Sequence, residues 1–172
     1  MRKLREISVV LVLLTASCRS GDSANRLSGL PLRYHNGQYG LTFLLPASWQ
    51  GYSVLIQQWD GETYSSAADK LIVVGHGPTI TLRHPHWQAS APYQDIPILV
   101  FTRAQWDALH QGKLWPSLYA GGVMDELWHS RKYVFAMSSR YNTRDDVKGW
   151  KEAGEIVEQN RAANKMLHLY EG

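Results

Sequence analysis

The chain has 172 residues, with 18 Lys plus Arg against 15 Asp plus Glu, 44% hydrophobic residues and one cysteine. That length and apolar share suit one ordinary globular domain and exclude a wholly disordered chain. A single thiol excludes an intramolecular disulfide framework and any multi-cysteine zinc or iron–sulfur site within one chain; with 19% charged residues and no run of five like charges, no electrostatic arm for nucleic acid exists either.

The chain opens on a positive segment, Met1 to Glu6, carrying Arg2, Lys3 and Arg5. Ile7 to Leu14 follows, apolar except for Ser8. A hydrocarbon core about 30 Å thick needs roughly 20 apolar residues, so this stretch is too short to span one but fits the h-region of a signal peptide. Leu14-Thr15-Ala16-Ser17-Cys18 then leads small residues into the sole cysteine. It resembles the lipobox of bacterial lipoproteins. The resemblance implies that residues 1–17 are removed and that Cys18 becomes an acylated N-terminus, with a diacylglyceryl group and an amide-linked chain of the palmitate class. The alternative is an ordinary secretory signal with an incidental Cys18. The place of the cysteine, directly after small residues at the end of an h-region, favours the anchor. Two or more acyl chains hold a protein on a bilayer stably, whereas one does so only marginally. Cleavage removes three positive charges and one negative, taking the net charge from +3 to +1, so the basic balance is no binding surface. Arg19 stands where the inner-membrane retention signal of enteric bacteria has Asp, which favours the outer membrane where there are two.

Arg19 to Leu30 is rich in Ser, Gly, Asp and Asn and reads as a flexible tether following the acylated residue, with a reach of roughly 20 Å. One domain is expected from residue 31 to residue 172. Leu32 to His35 and Gly40 to Leu45 read as two strands joined near a tight Asn36-Gly37 turn. Pro46 ends the second, and Ala47 to Gln50 suits one helical turn. Tyr52 to Trp59 is a further strand, with Asp60-Gly61 as the next turn signal. Leu71 to Val74 and Thr79 to Leu82 are β-branched runs separated by Gly75, Gly77 and Pro78, a hairpin-like pattern. Ile96 to Thr102 is the most buried-looking strand, its start placed at an edge or bulge by Pro97.

Thr102 can cap a helix over Arg103 to Gln111. Tyr133 to Met137 reads as a core strand, and Thr143 to about Leu167 as a long helix with Thr143 and Asp146 resembling a capping box. Leu114 to Ser130 reads as a loop with a short helix at Val123 to Trp128. Strands first and a long helix last predict an α+β domain: a mostly antiparallel sheet with the C-terminal helix packed on it. Strict βαβ alternation and Gly-rich phosphate-binding motifs are absent from the sequence.

Several segments together carry a wider resemblance: Tyr34-His35-Asn36-Gly37-Gln38-Tyr39-Gly40-Leu41 running on through Pro46 to Trp49, then Arg83-His84-Pro85-His86-Trp87, Gln94 to Thr102, Lys132 to Ala136, and Arg140-Tyr141-Asn142. They resemble a family of small exported bacterial lipoproteins of unassigned function. The opening hairpin also resembles that of the Mog1/PsbP-like α/β/α sandwich. Neither likeness brings a reaction, and a fold alone supplies none.

Among chemistry-bearing residues, His84 and His86 have a two-residue spacing that puts both imidazoles on one side of an extended segment. A metal would need a third ligand, from Asp95, His76 or His110, and nothing in the spacing supplies one; no metal or cofactor is expected. His84 closes one strand, Asp95 opens the next, and Arg140 and Tyr141 end the Tyr133 strand. If those strands pair antiparallel, all four reach one end of the sheet, with Trp87 and Tyr93 in the intervening loop. That rim of imidazole, carboxylate, guanidinium and aromatic faces suits a polar or sugar-like ligand. The alternative is a structural Arg140–Asp95 salt bridge.

No serine lies in Gly-x-Ser-x-Gly, and Asp107, Asp125 and Glu126 fall on segments expected to be solvated. Trp49, Trp106 and Trp150 belong to the expected core, leaving Trp87, Trp115 and Trp128 for a glycan platform. The leading expectation is a lipid-anchored, non-enzymatic binding or interaction domain, with a small polar or glycan ligand or an envelope protein as partner. The alternatives are an envelope hydrolase or metal-dependent enzyme using His84, Asp95 and Arg140, or a glycan-binding module.

Overall fold

The computed structural model describes residues 31–117, 123–141 and 145–169. Strands β1 (Leu32–Asn36) and β2 (Leu41–Leu45) pair antiparallel as a separate hairpin. Along β2 every second residue, Leu41, Phe43 and Leu45, is buried, the period of a strand with one face on a core. After Pro46 a single 3-10 turn, Ala47–Trp49, sinks the Trp49 ring completely. The main sheet comprises β3 (Ser53–Ser65), β4 (Lys70–Arg83), β5 (Ile96–Thr102), β6 (Trp115–Pro116), β7 (Met124–His129) and β8 (Tyr133–Ser138). Its order is β6-β3-β4-β5-β8-β7, with every neighbouring pair antiparallel. Helix α1 (Arg103–His110) follows β5, and helix α2 (Trp150–Leu169) closes the described chain. This is the α+β domain that the order of elements predicts.

Both faces of the sheet are covered around β5, whereas much of β3 and the first half of β4 are exposed. Ile98 and Val100 face a core completed by Tyr34, Phe43, Trp49 and the α2 residues Ala153, Ile156 and Val157. Leu99 and Phe101 face the opposite core, with Trp59, Leu114 and, from α1, Trp106 and Leu109. A strand buried on both faces reads as an unbroken apolar run, which is why this segment stands out in the sequence. The Thr102 cap also forms: its hydroxyl accepts from the Gln105 N–H while the Gln105 side chain reaches back to the Thr102 N–H. Helix α2 is clamped to β2 through Asn160, whose Oδ1 accepts from the Leu44 N–H at 2.7 Å and whose Nδ2 donates to the Leu44 carbonyl at 2.8 Å.

Several expectations are corrected. The first hairpin turns through residues 37–40: Gly40 carries the left-handed φ of 72°, and the Asn36 side chain accepts from the N–H groups of Gln38 and Tyr39. Asn36 therefore works as an Asx turn and stays in the strand. Asp60-Gly61 is no turn but lies inside β3, opposite a bulge at Val74 of the neighbouring strand, and the runs on either side of Gly75 and Gly77 form that one strand, β4. Gly77 is there for close approach, since a Cβ would lie 2.6 Å from both Trp59 Cζ2 and the Val100 carbonyl oxygen. β5 is a central strand; its ladder with β8 begins at Leu99, so Pro97 lies outside that ladder. The loop-with-helix expected around residues 123–128 is strand β7, whose alternation is broken by a bulge between Glu126 and Trp128. The long helix starts at Trp150, not near residue 143. Gly149, at φ 78°, ends the approach to it, and the Tyr93 ring lies where a Cβ would project. Thr143 lies outside the described residues, as do Cys18 and the whole of residues 1–30.

Candidate functional site

The antiparallel pairings of β4 with β5 and β5 with β8 bring the ends bearing His84, Asp95, Arg140 and Tyr141 to one end of the sheet. Both oxygens of Asp95 accept from Arg83: Nε at 3.1 and 3.2 Å and Nη2 at 2.6 Å. The ion pair is thus made by the last residue of β4, and the expected Arg140–Asp95 bridge is not what holds the hairpin. Arg140 is exposed, its backbone N–H donating to Ser138 Oγ. Arg83 also lies over the Trp87 ring, 3.8 Å from its centre, so the same guanidinium ties the loop back onto the strand.

His84 is 3% exposed. Its ring stacks on Tyr93 at 3.8 Å and meets Trp49 edge-on at 5.0 Å. Its Nδ1 accepts the His86 backbone N–H at 3.1 Å, so in the neutral ring the proton sits on Nε2. Burial lowers its pKa; the Glu152 charge opposes this, while His86 and Lys148 add to it. Glu152, in the first turn of α2, accepts from Ser48 Oγ at 2.5 Å and from the Tyr93 hydroxyl at 3.1 Å. Burial, then the Glu152 charge, raises the Tyr93 pKa and keeps the phenol a donor. One carboxylate at a helix N-terminus, where the macrodipole favours it, thereby joins the loop after β2 to the loop before β5. Sequence reasoning missed Glu152 because its partners are 104 and 59 residues away.

Among the described residues no third His, Cys, Asp or Glu side chain joins His84 and His86. His110 Nδ1 is within hydrogen-bond distance of its own helix, at the Trp106 carbonyl, and His76 pairs in register with Asp60 far along β4. No group of three His, Cys, Asp or Glu side chains gathers among the described residues. Of the tryptophans expected in loops, Trp115 is in β6 and 41% exposed, whereas Trp128 is in β7 and stacks face-on against Phe135 at 4.9 Å.

Tyr141 lines an open cleft of about 250 Å³ between α2 and the β7–β8 hairpin. Asp125, Ser138, Gly154, Glu158 and Arg161 line it with Tyr141. The Tyr141 hydroxyl and Arg161 Nε are buried and have no hydrogen-bond partner among the described residues. Burial, and then the negative charge of Asp95, drives the Tyr141 pKa far up. Asp125, expected to be solvated on a loop or helix, is a half-buried strand residue in this wall. The available signal was the polar face of the long helix, where Glu158 and Arg161 lie three residues apart with Gly154 one turn before; the facing strand was not legible. No family model, curated protein or solved structure matches the chain.

Proposed function

We propose that this protein is a lipid-anchored bacterial envelope domain, exported and held by acyl chains on Cys18, whose role is binding and not catalysis. The anchor is supported by the sequence: a basic start, a short apolar segment and the sole cysteine directly after small residues. The observation that carries the non-catalytic reading is the state of the groups best suited to move protons. Asp95 gives both oxygens to Arg83, Glu152 gives one each to Ser48 and Tyr93, and His84 Nδ1 receives a backbone N–H. A general base needs a lone pair within reach of a substrate proton; the His84 Nδ1 lone pair is taken, and every Asp95 and Glu152 oxygen already accepts a bond that holds loops together. Arg19, standing where the inner-membrane retention signal has Asp, favours the outer membrane in a cell that has two.

The test is a survey of the purified full chain against activated ester, phosphoester, peptide and glycoside substrates, with His84→Ala and Asp95→Asn alongside. No turnover above background is expected for any of them. Turnover that disappears in both folded variants would replace this reading with an envelope hydrolase using those residues.

A further inference from the structure

The cleft between α2 and the β7–β8 hairpin has features the fold does not use. Buried polar atoms in native proteins are almost always paired, so two orphans lining one cavity call for an explanation. Both orphans, the Tyr141 hydroxyl and Arg161 Nε, can donate, and a guanidinium can do nothing else. Ser138 Oγ already accepts the Arg140 N–H, which leaves its own proton to give. One wall therefore asks for an acceptor group, and Arg161 asks for an anionic one.

The opposite requirement sits beside it. Asp125 and Glu158 line the same cleft, and among the described residues Arg161 answers them through a 3.4 Å contact with Glu158. Glu158 is largely exposed and so placed to turn toward a ligand. A simple anion would meet two carboxylates, and a simple cation would meet the guanidinium. Only a molecule bearing both charges satisfies both sides. Gly154 supports this: a glycine inside a helix costs about 1 kcal/mol relative to alanine, and here it forms part of the cleft wall. The volume, about 250 Å³, lies just below the range of drug-sized pockets and suits a molecule of a few heavy atoms.

We propose that the cleft binds a small amino-acid-like zwitterion, its carboxylate on Arg161 and Tyr141 and its ammonium toward Asp125 and Glu158. The assignment rests on the reading of the domain as a binder and is independent of the anchor.

Calorimetric titration of the full chain in detergent with glycine and L-valine, N-acetyl-L-valine and L-valine methyl ester tests it. Saturable binding of at least one free amino acid is expected, with both blocked forms weaker by about tenfold or more, the loss of one charge-assisted contact. Tyr141→Phe and Arg161→Met should each weaken binding by a similar factor, and Gly154→Leu should abolish it. Tyr141→Phe removes only an unpartnered hydroxyl, so it decides the matter should the others fail to fold. Absence of binding by either amino acid, equal binding of the blocked forms, or unchanged binding by Tyr141→Phe overturns the proposal. None of these results touches the non-catalytic reading, which falls on turnover alone.

Discussion

His84 sits between Trp49 and Tyr93, its imidazole almost sealed from water and its proton inventory set by a backbone donor. Burial lowers its pKa below the ordinary 6.5, so the folded chain takes up this proton only at lower pH than the unfolded chain does. Between the two values the unfolded state holds more protons, and stability rises with pH there. The contribution is fully present above about pH 6.5 and is lost as pH falls toward the lowered folded value. The urea midpoint of the wild-type protein should therefore drop between pH 7.5 and pH 5 more than that of His84→Gln. Parallel curves for the two would mean that this ring contributes nothing to acid sensitivity. The residue types and their turn of sequence were legible, but their partners were not. Reading strand ends alone puts Arg140 against Asp95, whereas Arg83, the last residue of β4, makes the pair.

Elements meet at junctions where one side chain substitutes for a missing strand or turn. Asn160 is the clearest, since it answers both the N–H and the C=O of Leu44 and also reaches the Ile156 carbonyl. Replacing it with alanine leaves those two main-chain groups of β2 without partners, at about 1–3 kcal/mol each. Asn160→Ala should destabilise the domain by about 2–4 kcal/mol in chemical denaturation; a loss below about 1 kcal/mol would show that water replaces the clamp. The same level explains why element types were easier to read than element limits. Alternation marks β2, unbroken apolar runs mark β5 and β8, and a capping threonine marks α1. The start of α2 could not be read, because the Tyr93 ring that packs on Gly149 comes from a loop 56 residues earlier. Glycines that signal turns in a local window instead serve as close contacts in β3 and β4, beside a bulge.

The domain as a whole stacks a hairpin and a long helix on one face of an antiparallel sheet and a short helix on the other. No helix among the described residues is long and apolar enough to cross a membrane; the proposed attachment is through Cys18. Cys18→Ser should move the protein from the membrane fraction to the soluble fraction and remove the mass of the acyl groups. Continued sedimentation with vesicles at unmodified mass would end the anchor proposal.

Composition and periodicity were enough to specify an α+β domain with an antiparallel sheet and a terminal helix, because those features follow from which neighbours along the chain are apolar. Strand order, the two bulges, the pairing of Asp95 with Arg83 and the cleft walled by Asp125, Tyr141 and Arg161 emerged only on folding. Each joins residues far apart in the chain, and local pattern carries no information about which distant surface a side chain will meet.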